Sequence, residues 1–449
     1  MINTCLINLR GSFRLVRLVG CFMLHHCASL SKLGATSGAT ALTPVTLNSY
    51  GRVRGLSRYP VIGFKYSIYK SLKHFILKEL DNDHFCTLFT RSDTHQATIS
   101  SPKMSMISHE PFQLVGRYAD RNRWENLDGP EDSRVTGKQI IKDEDLEGAW
   151  SDKVVLITGV SAGIGIKTIE TIASTGATIF GTARNIDKAK KALGPLLESH
   201  GDRVHLLHMD QADLDTVRAC ADTVREKSGG RLNVIINNAA VMNTPYEKTK
   251  DGFELQFQTN YLSHFLLFYL LKDLLLTSSS PAFHSRVVTV SSAAHRYGPC
   301  RLDNINFDNG EYNGWMAYAS SKVANIYMTN QIERLHGAQG LHAYSVHPGA
   351  FISPNLQKFS KAETEALGQG DDRLKNYMMS RDQACATTVY GAVSAELEGQ
   401  GGLYLEGACN SGPCPPDSDA VEYGYATWAQ DRTKEEELWE KSKKWTSVQ

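Results

Sequence analysis

Cysteine is sparse in this sequence and shows no metal-binding pattern. The 449 residues contain nine cysteines and no CxxC motif, and the closest pair, Cys409 and Cys414, lies in a loop with glycine and proline. A structural zinc site needs four ligands at compact spacing. The sequence therefore predicts free thiols, as in a reducing compartment, and no metal site. We interpret the histidines on predicted strands or turns as structural: His205, His208, His342 and His347.

Long apolar runs are also lacking. Leu18–Leu24 is far shorter than the ~20 apolar residues that a membrane span needs, and 261–276 is interrupted by His264, Lys272 and Asp273. The sequence thus predicts no membrane span. A helix that is apolar nearly all round is buried in the core or against a second subunit. For 261–276 we favour a subunit interface, and hence a homodimer. Basic and aromatic residues do not cluster, which argues against a nucleic-acid partner.

Acidic residues are nearly missing from the first part of the chain. The first is Glu79, and residues 1–103 carry 13 Lys and Arg against four Asp and Glu, whereas the whole chain has 48 of each class. Such composition is typical of an organelle transit peptide. The alternative, which we favour, is a gene model extended upstream of a start at Met104 or Met106. A secretory signal ranks third because His25 and His26 break the apolar core.

We therefore expect three segments. Residues 1–103 form a basic, acid-poor and poorly structured extension, 104–150 a lead-in segment, and 151–449 the catalytic domain. The expected location is cytoplasmic, or mitochondrial if the extension is real.

From Ser151 the sequence alternates between short apolar runs and helical patterns. The predicted strands are Val154–Ile157, Ala177–Ala183, Val204–Met209, Val234–Asn237, Arg286–Val290 and Leu341–Val346. The helices between them are predicted at Ile164–Ser174, Lys188–Glu198, Leu214–Lys227, Phe253–Leu276 and Tyr318–Leu335. This alternation predicts an α/β fold: a doubly wound parallel sheet of about seven strands flanked by helices, with ligands at the carboxyl ends of the strands.

A glycine-rich turn follows the first predicted strand. The chain reads TGVSAGIG over 158–165 and then enters a helix. Glycines permit a sharp turn and let a pyrophosphate approach the amides at a helix N-terminus. In this strand–turn–helix context the motif predicts a Rossmann-type dinucleotide site. Its candidate residues are Gly159, Ser161, Gly163, Ile164 and Gly165.

Cofactor choice is argued from charge at the end of the second strand. An NAD site places a carboxylate there to bind the ribose hydroxyls. Here Arg184 follows the strand, and no acidic residue occurs before Asp187. Because a guanidinium forms a planar fork to phosphate, we expect NADP(H). The alternative is that Arg184 is a solvated loop residue.

Tyr318 and Lys322 are four residues apart on a predicted helix and therefore share one face. Tyr318 would act as general acid/base, but a phenol has a pKa near ~10. Bringing the pKa near neutrality requires about 4 kcal/mol, and one cation at about 4 Å with an effective dielectric of ~20 supplies roughly that amount. We expect the Lys322 ammonium to keep the phenol partly ionised.

Together these motifs resemble the classical branch of the short-chain dehydrogenase/reductase (SDR) family, whose fingerprint is TGxxxGxG. The NNAA text at 237–240 is similar to its NNAG element, which implies Asn238 at the cofactor, and Asp210 falls where the family holds the adenine. Pro348-Gly349 with Phe351 and Ser353 resembles PGxVxT, which contacts the nicotinamide amide. Ala240 and Ser353 depart from the usual Gly and Thr.

The resemblance also implies a catalytic tetrad. Ser292 and Asn260 join Tyr318 and Lys322 in the family's order. Ser292 would donate a hydrogen bond to the substrate oxygen. Asn260 would hold a water that carries protons to Lys322, which would also bind the ribose hydroxyls.

The distance between two of these residues points to one branch. Twenty-five residues separate Ser292 from Tyr318, about twice the usual gap. The text at 295–296, 303–306 and 389–404 resembles retinol dehydrogenases and WW-domain oxidoreductases, and the resemblance spans roughly 150–445. We expect 351–382 to fold over the substrate. Its apolar residues would either line a pocket or serve ordinary packing: Phe351, Leu356, Phe359, Leu367, Tyr377, Met378 and Met379.

The expected function is an NADP(H)-dependent oxidoreductase that interconverts an alcohol and its ketone or aldehyde. The substrate would be small and lipophilic, such as a polyketide-like or retinoid-like compound. The alternative is a non-catalytic NADP-binding regulatory or scaffold protein, although such proteins usually lose Tyr or Lys of the active pair. An extended-branch epimerase or dehydratase would carry TGxxGxxG, which is absent.

Overall fold

The computed structural model describes residues 114–310, 312–360, 372–415, 418 and 421–448. The chain divides into two units, Met1–Lys103 and Met104–Gln449, and all of the described residues lie in the second unit. The expectations for 1–103 and for Leu367 lie outside the described residues.

An eight-stranded sheet forms the centre of the domain, in the order β3-β2-β1-β4-β5-β6-β7-β8. The strands are β1 (Val154–Thr158), β2 (Thr178–Ala183), β3 (Val204–His208), β4 (Val234–Asn237), β5 (Ser285–Val290), β6 (Leu341–His347), β7 (Leu403–Glu406) and β8 (Cys409–Ser411). The first seven are parallel, and β8 pairs antiparallel with β7. The predicted doubly wound sheet is confirmed.

The sequence did not predict β8. It returns beside β7 through Gly407 and Ala408, both at φ 56°. A two-residue turn with positive φ at both positions matches the twist of a hairpin. Three residues are too few to show an alternating pattern, so β8 had no sequence signal.

Helices cover both faces of the sheet. They are α1 (Gly137–Asp143), α2 (Ile164–Ala173), α3 (Ile186–Ala192), α4 (Gly194–His200), α5 (Leu214–Lys227), α6 (Leu255–Phe257 and Ser263–Ser278, joined by the π-helical turn Gln258–Leu262), α7 (Gly314–His336), α8 (Asp372–Tyr377), α9 (Arg381–Ala384), α10 (Ala386–Val393) and α11 (Arg432–Trp445). Short 3-10 helices lie at Ala119–Asn122, Trp124–Asn126, Ala293–Tyr297, Gly337–Gln339, Ala395–Leu397 and Thr427–Gln430.

Two helix boundaries differ from the prediction for local reasons. The single helix expected after β2 is two, because Pro195 lies in the first turn of α4 and starts a new helix there. Helix α7 begins at Gly314 rather than Tyr318, because the Asn313 side chain caps it by accepting from the Met316 amide.

The segment before β1 is part of the domain core. Leu114, Tyr118, Ile140, Ile141 and Trp150 are buried in the same apolar cluster as the strands and α10. Helix α1 packs against both α10 and α2. Residues 114–150 therefore cover one face of the sheet, and the opposite face is covered by α5, α6, α7 and α11.

The preference for a subunit interface at α6 was wrong. Tyr261, Phe265 and Phe268 are fully buried within this chain. Trp439 of α11 stacks edge-on against Phe265, with ring centroids 5.0 Å apart, and the Tyr261 hydroxyl lies 2.6 Å from the Ser442 hydroxyl. The chain's own last helix therefore covers this apolar surface, and a homodimer stays a prediction. Of the described helices, none has the length and apolarity to cross a bilayer.

Candidate active site

A cleft of about 870 Å³ opens at the carboxyl ends of the parallel strands. It brings together thirteen of the fourteen predicted site residues: Gly159, Ser161, Gly163, Ile164, Gly165, Arg184, Asp210, Asn238, Ser292, Tyr318, Lys322, Phe351 and Ser353. Asn260 is not among the residues that line it. Parallel strands place these positions together because their carboxyl ends share one edge of the sheet.

The glycine-rich turn forms one wall of the cleft. Gly159 and Gly163 adopt φ of 76° and 64°, which L side chains rarely adopt. A Cβ at Gly165 would overlap the Gly159 carbonyl and lie 2.7 Å from the Asn238 amide nitrogen. A Cβ at Gly163 would lie 3.1 Å from the Ser353 hydroxyl oxygen. The turn thus leaves its backbone open at the N-terminus of α2, which suits an anionic group.

Thr158 and His264, which the sequence analysis did not single out, hold this turn in place. The Thr158 hydroxyl oxygen accepts from the Asn238 and Ala239 amides, both at 2.9 Å, and lies 2.9 Å from His264 Nε2. With both lone pairs occupied, the hydroxyl donates its proton to Nε2. His264 Nδ1–H then donates to the Asn260 carbonyl at 3.0 Å. Burial lowers the pKa of His264 to about 4, so the ring is neutral.

Asn260 has its side chain behind the cleft, and its expected role in holding a water stays a prediction. Its side-chain amide donates to the Val241 carbonyl and the Ser321 hydroxyl, both at 3.0 Å, and accepts from the Val241 amide at 2.9 Å. The side chain is fully buried within the π-helical turn of α6. The side chain therefore braces α6 against α7 and the loop after β4.

Ser292, Tyr318 and Lys322 meet in the cleft. Ser292 follows β5 and caps the 3-10 helix Ala293–Tyr297, where its hydroxyl accepts from the Ala294 amide at 3.1 Å, and it lines the cleft together with Tyr318. The Lys322 ammonium nitrogen lies 5.5 Å from the centroid of the Tyr318 ring and donates to the Val290 carbonyl at 2.8 Å. Helical spacing within α7 accounts for the Tyr–Lys pair, and the end of β5 delivers the serine.

Burial opposes the expected partial ionisation of the phenol, which stays a prediction for the site with its cofactor bound. Burial raises the pKa of Tyr318 to about 12, and burial lowers the pKa of Lys322 to about 7. Desolvation disfavours both charged forms. The Lys322 ammonium donates to the Val290 carbonyl, and burial is the largest influence on the pKa of Tyr318. The phenol therefore keeps its proton at neutral pH.

The β2 end of the cleft is basic. Arg184 is exposed there, and Lys188, in the first turn of α3, also lines the cleft. Asp187 is exposed and is not among the described lining residues. Lys188 was not predicted, because Arg184 lies before the start of α3 and helical spacing does not relate the two residues. Asp210 lines the neighbouring wall, where its carboxylate accepts from the Ala212 amide at 3.0 Å.

The opposite end of the cleft is largely apolar. The sequence did not decide whether the apolar residues of 351–382 line a pocket or serve ordinary packing. Five of them line the cleft: Phe351, Leu356, Phe359, Tyr377 and Met378. Met379 does not, and is buried in the core instead. Further apolar lining residues are Met242, Tyr297, Leu374 and Val421.

The histidines near the cleft have protein partners. His295 Nδ1 donates to the Ser292 carbonyl at 2.6 Å, and its Nε2 accepts from the Ala426 amide at 3.0 Å. Burial lowers the pKa of His295 and of His347 to about 3. Over the described parts of 114–448, no three His, Cys, Asp or Glu side chains group as metal ligands would, and the five cysteines there are free thiols.

Comparisons with known proteins identify relatives of this chain. A family model described as short chain dehydrogenase matches residues 153–364. The short-chain dehydrogenase/reductase prx1 of Penicillium roqueforti is 44% identical over 316 residues, which cover 70% of this chain and 91% of that protein. The human WW domain-containing oxidoreductase is 33% identical over 306 residues, covering 66% and 70%. A solved structure from Mycobacterium paratuberculosis is 28% identical, covers 71% of this chain and 99% of that one, and has a TM-score of 0.50.

Proposed function

Because the chain belongs to the short-chain dehydrogenase/reductase family, we propose that it is an NADP(H)-dependent enzyme which reduces a lipophilic ketone or aldehyde to its alcohol, or catalyses the reverse. The family and its oxidoreductase chemistry, predicted from the motifs, are confirmed. One observation carries the finer proposal. Tyr318 is buried and protonated, and it lies in the same cleft as Ser292, Lys322 and the glycine-rich turn.

The residues of the cleft fit a nicotinamide dinucleotide. The open backbone between Gly159 and Gly165 suits a pyrophosphate. Asp210 and Asn238 would hold the adenosine half, Phe351 and Ser353 the nicotinamide half. When bound, the cofactor supplies or accepts the hydride.

The 2′-phosphate is assigned to the basic end of the cleft. Arg184 offers a planar fork of donors, and Lys188 adds a second positive charge from α3. A ribose without the phosphate would leave both charges without a ligand partner. This supports NADP(H) over NAD(H).

The residues around the reacting oxygen have separate roles. Tyr318 donates its hydroxyl proton to the substrate oxygen during reduction and recovers it from solvent afterwards. The Ser292 hydroxyl donates a hydrogen bond to the same oxygen and stabilises the charge that develops there. Lys322, when protonated, favours the transient phenolate and holds the ribose hydroxyls. Because the raised pKa of Tyr318 keeps the proton on the phenol, the resting site is prepared for carbonyl reduction.

The substrate class follows from the lining of the opposite end. Aromatic and aliphatic side chains dominate there, among them Phe351, Tyr377 and Met378. Burying apolar surface stabilises a bound ligand by about 25 cal/mol per Å². A hydrophobic carbonyl compound therefore fits better than a sugar or a charged metabolite.

The experiment is NADPH oxidation by the full chain across a panel of hydrophobic ketones and aldehydes, followed by loss of NADPH absorbance. Tyr318→Phe should lower turnover by about 10²–10⁴-fold, the range of general acid catalysis. Its Kd for NADPH should stay within about twofold. Tyr246→Phe, a tyrosine outside the lining of the cleft, is the matched control. Full activity in Tyr318→Phe refutes the mechanism, and tight NADPH binding without turnover on any carbonyl favours a regulatory or scaffold protein.

A further inference from the structure

Arg134, in the segment before β1, is an almost fully buried charge with an unusual set of partners. Only 3% of the residue is exposed. Its guanidinium donates to four main-chain carbonyls: Gly129 at 3.1 Å, Asn376 at 3.1 Å, Tyr377 at 2.7 Å and Met378 at 2.6 Å. A buried cation needs this degree of hydrogen bonding to offset its desolvation. Three of the four acceptors lie at the C-terminal end of α8.

Arg134 is itself held by a second buried group. Its Nε donates to both carboxylate oxygens of Asp132, at 2.9 and 3.0 Å. The side-chain amide of Gln383, in α9, donates to Asp132 Oδ1 at 3.0 Å, and its oxygen accepts from the Glu131 amide at 2.8 Å. The arginine is thus fixed from both sides and has no freedom to follow α8 if that helix moves.

The end of α8 belongs to the substrate side of the cleft. Leu374, Tyr377 and Met378 line it. The next residue, Met379, donates its amide to the Ala350 carbonyl at 2.7 Å, directly before Phe351. The last carbonyls of a helix have no partner within the helix and require a cap. Here Arg134 supplies that cap from a segment about 240 residues earlier in the chain.

We propose that Arg134 is a positioning residue for the substrate-side wall, residues 374–379, so that the segment before the first strand shapes substrate binding. The part of this inference that concerns turnover rests on the proposed function. Arg134 makes no hydrogen bond to the glycine-rich turn, Arg184 or Asp210, so the contacts that would anchor the adenosine and pyrophosphate half of the cofactor do not depend on it. The wall and that half of the cofactor site are thereby separable by mutation.

Hydrogen–deuterium exchange on the full chain tests the positioning without any turnover. Arg134→Lys keeps the charge, but its three donors cannot replace the bidentate contact to Asp132 and four carbonyl contacts. Amides of 374–379 should exchange about tenfold faster, with β1 and β5 unchanged. Arg123→Lys is the matched control, because Arg123 lies in the same segment and forms only an exposed ion pair with Asp120. Asp132→Asn is the second variant and should show the same regional effect.

Kinetics then separates substrate binding from cofactor binding. Arg134→Lys should raise KM for a hydrophobic carbonyl about tenfold and leave the Kd for NADPH within about twofold. Unchanged exchange at 374–379 overturns the proposal. An equal rise of the exchange rate in every region also overturns it, as does failure of both variants to fold. In either case the Arg134–Asp132 pair serves overall stability. If the wild type turns over no carbonyl at all, the proposed function fails, while the exchange result still decides the positioning role.

Discussion

Removal of the Arg184 guanidinium is the sharpest test of cofactor choice. Arg184 directly follows β2 and lines the basic end of the cleft together with Lys188. Arg184→Ala removes the fork of N–H donors and leaves the glycine-rich turn and Asp210 intact. The change should therefore affect only the contact with a 2′-phosphate.

The expected loss of NADPH affinity in Arg184→Ala follows from the exposure of the arginine. A hydrogen bond to a charged group contributes about 1.5–3 kcal/mol. Arg184 is exposed, so solvent screens the contact, and we take the lower part of this range, about 1.5–2 kcal/mol. Because 1.4 kcal/mol corresponds to a tenfold change in Kd, NADPH should bind about 10–30-fold more weakly.

The assay is parallel titration with NADPH and NADH, followed by cofactor fluorescence. NADH should bind to Arg184→Ala within about twofold of the wild type. Arg432→Ala is the control, an exposed arginine of α11 that pairs with Glu436. An equal loss for both cofactors means that Arg184 binds a group common to both. No change for either means that Arg184 is a solvated loop residue. Either result refutes the assignment of Arg184 to the 2′-phosphate.

Three further predictions follow from the site. Ser292→Ala should lower kcat by about 10²-fold with NADPH binding preserved, since it removes one donor to the developing charge; a kcat within about threefold of the wild type contradicts this. The depressed pKa of Lys322, about 7, means that its ammonium is lost as pH rises through that value. Because kcat/KM for NADPH reports the free enzyme, it should fall above about pH 7, and a flat profile contradicts the role of the ammonium. His264, His295 and His347 have folded pKa values of about 4, 3 and 3, below the ordinary 6.5, so the unfolded chain binds more protons. Their stabilisation is complete above about pH 6.5 and is lost as pH falls toward those values, by about 1.4 kcal/mol per pH unit for each histidine, which urea unfolding at several pH values measures.

The dinucleotide wall and the Tyr–Lys pair could be predicted because their geometry is local. A strand, a turn of glycines and a helix follow one another over 154–173, and no distant residue is needed to bring them together. Helical periodicity alone puts Tyr318 and Lys322 on one face of α7. The alternation of strands and helices likewise fixed the parallel sheet and the edge at which the cleft opens.

Other features needed the folded chain. Whether α6 meets a second subunit or the core depended on α11, and the apolar pattern of 261–276 is the same in both cases. The cap that Arg134 gives to α8 joins residues about 240 positions apart, a contact for which no sequence period exists. Asn260 occupies the sequence position of the family's asparagine. Its side-chain amide bonds to Val241 and Ser321 behind the cleft, and these contacts could not be predicted from the sequence.

The protonation states of Tyr318 and Lys322 show the difference between what the sequence determines and what the tertiary structure determines. The sequence by itself determined which ionisable groups share the site, since spacing along one helix is a covalent property. Only the tertiary structure decided their charges, because desolvation depends on everything packed around a side chain. Burial by distant segments raises the pKa of Tyr318 to about 12 and lowers the pKa of Lys322 to about 7, whereas both groups would have a pKa of about 10 in water.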